Sequence, residues 1–91
     1  MIITEIAQKK IAEIIKAPIE VMPSHKFFLR VTAIEDNGLK YQTYFDFELR
    51  HDDIVFNFKE FDLKIDKESL NYLELMSLDY NEQTGFSIST T

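Results

Sequence analysis

Asp53-Ile54-Val55-Phe56-Asn57-Phe58-Lys59-Glu60-Phe61-Asp62-Leu63-Lys64-Ile65-Asp66-Lys67-Glu68-Ser69-Leu70-Asn71-Tyr72-Leu73 is the stretch that decides the fold. Ile54 to Phe58 and Phe61 to Ile65 are dense in β-branched and aromatic residues and are separated by the polar Lys59-Glu60, so they predict two strands joined by a turn. Asp66 then caps a short helix through Leu73, its carboxylate accepting from amides of the first turn at the positive end of the helix dipole.

The same logic extends in both directions. Downstream, Met76 to Tyr80 and Phe86 to Ser89 predict two more short strands around a turn at Thr84-Gly85. Upstream, Phe27, Leu29, Val31 and Ala33 share one face of a strand, and Phe28 and Ile34 make its other face partly apolar. A strand apolar on both sides belongs in the middle of a sheet. The next strand alternates more cleanly: Tyr41, Thr43, Phe45, Phe47 and Leu49 point one way, and Gln42, Tyr44, Asp46, Glu48 and Arg50 the other. Asn37-Gly38 between them predicts a tight two-residue hairpin turn, because a type I′ turn needs positive φ at both central positions. At the N-terminus, Thr4 caps a helix in which Ala7, Ile11, Ile14 and Ile15 recur at helical spacing. Pro18 is expected to stop it near Lys16 or Ala17, leaving Pro18 to His25 as a loop.

The chain thus reads as an α+β fold, mostly β, in one domain over residues 1–91. Eight Phe and four Tyr supply the buried area that a small core needs. Ten basic against sixteen acidic residues give a net charge of −6, which repels phosphate backbones and anionic lipid, so nucleic acid and membranes are poor partners. The apolar runs are too short to span a bilayer, and Met1-Ile2-Ile3-Thr4-Glu5 lacks the basic start and long apolar stretch of a signal peptide. A cytoplasmic protein is expected. There is no cysteine, so no disulfide or zinc–thiolate site is available.

The order of these segments resembles the A-type iron–sulfur cluster carrier family, also called HesB/IscA-like. The resemblance rests on the strand–turn–strand–Asp–helix run from Ile54 through Lys67-Glu68-Ser69-Leu70-Asn71-Tyr72-Leu73 and on Leu78-Asp79-Tyr80 followed by Gly85-Phe86. Ile14-Ile15-Lys16 and Leu29-Arg30-Val31 also fit, so the likeness covers most of the chain. It implies a HesB-like domain: six or so short strands in twisted, partly barrel-like sheets, with an N-terminal helix and one short second helix. It also locates what is missing. Where the family carries Gly-Cys-Ser-Gly in the loop after Leu-Arg, this chain has Glu35-Asp36-Asn37-Gly38-Leu39-Lys40-Tyr41. Asp36 falls near the first cysteine and Gly38 matches the second glycine, so Asp36, Asn37 and Gly38 occupy a degenerate cluster-loop position. The family's later Cys-Gly-Cys has no counterpart in the sequence up to Thr91, and the usual glycine between the third and fourth strands is Glu60. Iron–sulfur clusters are held mainly by thiolates, so no cofactor is expected.

His25, Asp36 and His51 are the weak metal candidates, with Asp52 and Asp53 beside His51. The plainer readings are a polar hairpin flank for Asp36 and a solvated acidic turn for His51-Asp52-Asp53, since adjacent residues on extended chain point to opposite faces. Ser24-His25 is a poor nucleophile–base pair because the two are sequence neighbours, and Ser87, Ser89, Thr90 and Thr91 read as strand-face and terminal polar residues. No enzyme is expected. Tyr44, Phe58 and Phe61 form a candidate partner surface, against the plainer reading that Phe58 and Phe61 close the end of the core and Tyr44 packs under the N-terminal segment. The resemblance implies a non-ligating adaptor or regulatory module related to iron–sulfur biogenesis, paired with itself, with a cysteine-bearing relative or with an assembly-pathway protein. The alternatives are a His/carboxylate metal-binding protein and a structural domain whose family function is lost.

Overall fold

The computed structural model describes residues 1–90. Thr91, counted above with the polar tail, lies outside the described residues. In chain order the elements are β1 (Ile2–Ile3), α1 (Glu5–Ile14), α2 (Lys16–Val21), β2 (Phe28–Glu35), β3 (Leu39–Asp46), β4 (Asp53–Asn57), β5 (Asp62–Asp66), α3 (Lys67–Leu73), β6 (Met76–Asn81) and β7 (Gly85–Thr90). They build a four-stranded sheet in the order β3-β2-β5-β4 and a three-stranded sheet in the order β1-β6-β7. The expected α+β, strand-dominated architecture is the one observed.

β2 is interior to its sheet, as its two apolar faces predict: it runs antiparallel to β3 from Phe28↔Asp46 to Glu35↔Leu39 and parallel to β5 at Leu29↔Leu63. One core cluster draws Leu29 and Val31 from β2, Leu63 and Ile65 from β5, Leu78 from β6, Leu73 from α3, and Ala7, Ile11 and Ile15 from the first helical stretch and its end. Fully burying each of the Val, Leu and Ile side chains among these contributes about 1.5–3 kcal/mol.

Both predicted helix caps are present. The Thr4 side chain accepts from the Ala7 amide, and Asp66 Oδ2 accepts from the Ser69 amide at 3.1 Å. Thr4 also ties the N-terminus to β6, its own amide donating to the Leu78 carbonyl at 3.0 Å and its hydroxyl to Asp79 Oδ1 at 2.7 Å. Beside it lies β1, which pairs with β6 through Ile2↔Ser77 and Ile3↔Leu78. Two residues carry no periodicity, so sequence alone does not disclose this strand.

Three expectations are corrected. Pro18 does not end the helical stretch: the break falls at Ile15, and Pro18 sits in the first turn of α2, where an amide hydrogen has no intrahelical partner to lose. Pro18 to Val21 is therefore helix, not loop, and the Met22 amide donates to the Pro18 carbonyl at 3.0 Å. The second long strand ends at Asp46, so Phe47 and Leu49 do not continue its inner face. The Asp46 carboxylate accepts from the amides of Phe47 (2.8 Å) and Glu48 (3.2 Å), an Asx turn that takes the chain out of the ladder. Finally, the hairpin has positive φ at Asn37 (54°) and Gly38 (119°) as required, but its last ladder pair is Glu35↔Leu39, so the loop holds three residues rather than two. The remaining strand limits move by a residue or so, and among the described residues no helix is long and apolar enough to cross a membrane.

Candidate functional site

The positions singled out in the sequence fall at five separate places. Asp36, Asn37 and Gly38 form the exposed tip of the β2–β3 hairpin, where the Asp36 amide donates to the Gly38 carbonyl at 2.9 Å. His25 lies in the loop before β2, edge-on to Phe47 with ring centroids 4.5 Å apart, and Phe27 meets Phe47 at 5.5 Å. His51 is exposed in the turn before β4. Among the described residues no group of three or more His, Asp or Glu is placed to hold a metal ion. Phe58 and Phe61 stack at 5.0 Å, and Phe61 is buried in the core beneath Phe58, so Phe61 serves packing and not a surface. Tyr44, on β3 opposite Arg30, keeps more than a third of its surface exposed.

The strongest polar feature of the molecule is one that sequence reasoning passed over. Arg30 is fully buried on the outer face of β2. Its Nη1 and Nη2 donate to both carboxylate oxygens of Asp53 at 2.6 and 2.7 Å, its Nε donates to Asp46 Oδ2 at 3.0 Å, and Nη2 also donates to the Glu48 carbonyl at 3.0 Å. This fork ties together the middle of β2, the end of β3, the connecting turn and the start of β4. Asp53 is consequently a clamp residue and not part of a solvated acidic turn; its Oδ2 also accepts from the Arg50 amide at 3.0 Å. The Arg30 hydrogen bonds hold the Asp53 carboxyl below the usual range against the opposing effect of burial. For Asp46, burial pushes upward, but the Glu48 amide, Arg30 and the Phe47 amide together bring it below its ordinary value. The Asp53 hydrogen bonds in turn raise Arg30, against its own desolvation. A signal for the clamp existed: an arginine inside a strand apolar on both faces demands buried acid partners.

Phe28 lies buried under this fork, outside the main core cluster, with the Lys64 ammonium 4.1 Å and the Arg30 guanidinium 5.2 Å from its ring centroid. Cations over an aromatic face are attracted by its quadrupole. The arrangement is architectural. Nothing in it pairs a nucleophile with a base: Ser24 Oγ lies 3.4 Å from His25 Nδ1 on the exposed loop, and among the described residues no carboxylate hydrogen-bonds His25. An open depression of about 660 Å³ between α1 and the β4–β5 turn is lined by alternating charges, Glu5, Lys9, Glu13, Lys16, Lys59 and Glu60, unlike the apolar, enclosed pockets that take small molecules.

No protein-family model and no curated protein matches the chain. Solved structures do. SufA of Escherichia coli, involved in biosynthesis of iron–sulfur clusters, superposes with a TM-score of 0.73 at 16% identity, covering 98% of this chain and 78% of that one. IscA bearing a [2Fe–2S] cluster gives 0.64 at 14% identity over 98% and 83% of the two chains. An Aquifex aeolicus protein solved by NMR is 26% identical, with a TM-score of 0.66 over 98% and 89%. The chain therefore has the fold of the A-type iron–sulfur carriers, and it has that fold without a single cysteine.

Proposed function

We propose that the protein is a non-ligating adaptor or regulatory module related to iron–sulfur biogenesis, neither carrying a cluster nor acting as an enzyme, and working in the cytoplasm by binding another protein. One observation carries this: the carrier fold is kept over nearly the whole chain while every thiolate is gone. A fold alone does not fix a function, and here the site that defines the family's chemistry is the part replaced. Asp36, Asn37 and Gly38 stand where the sequence resemblance puts the first ligand, at the tip of an ordered hairpin. Tyr44 is the exposed aromatic assigned to partner contact, with Phe58 at the edge of the same role.

Anaerobic reconstitution with iron and sulfide, followed by absorbance spectra and metal analysis of the desalted protein, tests this directly. The expected result is no bound iron and no change in melting temperature on adding Fe²⁺, because a ligand that binds only the folded state must raise stability. Stoichiometric iron would overturn the proposal in favour of His/carboxylate ligation, with His25, His51 and Asp36 the residues to mutate. An anaerobic pull-down that recovers no assembly-pathway protein and no cysteine-bearing relative would leave a structural domain with lost function.

A further inference from the structure

We propose that Asn37 is a covalent modification site: the Gly38 backbone nitrogen attacks its side-chain amide, ammonia leaves, and aspartate or isoaspartate remains at the tip of the β2–β3 hairpin. This goes beyond the adaptor reading and does not depend on it.

The sequence supplies the reactive pair. An asparagine holds an electrophilic side-chain carbonyl within reach of the next residue's amide nitrogen. The five-membered ring that joins them closes fastest when that next residue has no side chain in the way. The chain has four asparagines, followed in turn by Gly38, Phe58, Tyr72 and Glu82, so only Asn37 precedes a glycine. Asn57 ends β4 in register with Asp62, and Asn71 lies inside α3, so regular secondary structure restrains both. Asn81 ends β6, and its Oδ1 accepts from the Gln83 amide at 2.8 Å, which ties the side chain down.

The structure leaves the ring at Asn37 free to close. Closure turns the peptide plane between residues 37 and 38 until the Gly38 nitrogen lies behind Asn37 Cγ. Among the described residues the Asn37 carbonyl accepts no hydrogen bond, the Gly38 amide donates none, and the Asn37 side chain makes none. Turning that plane therefore breaks no bond. The hairpin bond from the Asp36 amide to the Gly38 carbonyl, at 2.9 Å, belongs to the next peptide plane. Gly38, at a φ of 119°, absorbs the rotation because glycine populates both signs of φ. Both residues are exposed, and even a Cβ built on Gly38 would meet nothing within 4 Å, so water reaches the site.

The reaction needs no cofactor. Solvent base takes the Gly38 amide proton, and the nitrogen bonds to Asn37 Cγ. The bond from Cγ to the side-chain nitrogen breaks, and that nitrogen leaves as ammonia with a proton from water. The product is a succinimide ring. Water opens it at one of two bonds: cleavage between the ring nitrogen and Cγ gives aspartate, and cleavage between the nitrogen and the main-chain carbonyl gives isoaspartate. One water enters, one ammonia leaves, and nothing is oxidised or reduced. Either product adds a carboxylate beside Glu35 and Asp36 to a chain of net charge −6. Isoaspartate also inserts an extra backbone carbon into a loop of three residues. The degenerate cluster-loop position thus changes charge and shape as the molecule ages, and a partner touching that tip meets two forms.

Ageing the full chain at mildly basic pH and mapping it by mass spectrometry tests this. The tryptic peptide 31–40 should become about 1 Da heavier and split into two isomers. Peptides bearing Asn57, Asn71 and Asn81 should convert at least about tenfold more slowly. The folded chain should convert within about tenfold of the same chain unfolded in urea, since no hydrogen bond has to break. Hydroxylamine, which cleaves succinimides, should cut the folded chain between residues 37 and 38. Asn37→Gln should abolish both the cut and the mass change, and the wild-type readings stand without that variant. The proposal is overturned if peptide 31–40 keeps its mass after the unfolded chain has converted, or if the folded chain converts more slowly than that tenfold limit. It is equally overturned if another asparagine converts as fast, or if the mass change persists in Asn37→Gln.

Discussion

Replacing Asp53 by asparagine tests whether the Arg30 fork holds the sheet together. Asp53 takes two short charge-assisted bonds from Arg30 and one from the Arg50 amide, with a side chain only 3% exposed. Asparagine keeps the shape, loses the charge and turns one acceptor into a donor facing guanidinium protons. Arg30 keeps Asp46 and the Glu48 carbonyl but is left fully buried with half its compensation removed. Breaking a buried pair from one side costs about 3–5 kcal/mol. For a chain of 91 residues, total stability is about 5–14 kcal/mol, so the change removes a large share of it. With a urea slope of about 1.5 kcal/mol per M, the unfolding midpoint at pH 7 should fall by about 2–3 M. The pH dependence gives a second readout. Asp53 and Asp46 both titrate lower in the folded state than in the unfolded chain. Below about pH 4 the unfolded state therefore binds more protons, so the contribution is complete above that pH and drains away as pH falls through the folded values. Wild-type stability should drop steeply in that window, and the Asp53→Asn variant less so. A loss under about 1 kcal/mol at pH 7, the value of an exposed pair, together with an unchanged acid slope, would refute the clamp.

Gly38→Val should cost about 1–3 kcal/mol, since a Cβ there meets no neighbour but φ of 119° is a conformation L residues avoid; a neutral result in thermal melts would mean the hairpin is misplaced. Asp66→Ala should cost about 0.5–2 kcal/mol through loss of the α3 cap, read as a lower melting temperature, while Asp66→Ser should recover most of it. Ile11→Ala, at a site with no solvent exposure between α1 and the sheets, should cost about 2–5 kcal/mol in urea unfolding.

What was legible in the sequence was what local chemistry decides. The Asp66 cap, the positive φ at Asn37-Gly38 and the interior position of β2 each follow from residues within a few positions of one another. What was not legible depends on partners distant in the chain. β1 exists only because β6 lies beside it, and Pro18 is accommodated only because the helix breaks at Ile15. The early end of β3 needed Asp46 to be read as a turn former as well as an outward strand residue, and the clamp needed Arg30 to be matched with acids 16 and 23 positions away. The weak metal candidates failed to assemble for the same reason: His25 is in an aromatic cluster, Asp36 at a hairpin tip and His51 in a separate turn, and sequence proximity carries no information about such convergence.

The departure from the loop that the resemblance implies is local to the β2–β3 hairpin. Where the resemblance implies a small-residue ligand loop, this chain continues the β2–β3 ladder to Glu35↔Leu39 and closes it with three residues. A ligand loop has to let its thiolates approach a metal from several directions, whereas a ladder fixes each residue to one face and one spacing. At the tip, Asn37 and Gly38 take positive φ and the Asp36 amide takes a backbone bond in place of that freedom. The unbroken ladder makes β3 eight residues long, the outermost strand of its sheet. A ladder that fixes the hairpin residues in this way supports the proposal that the protein works by binding another protein.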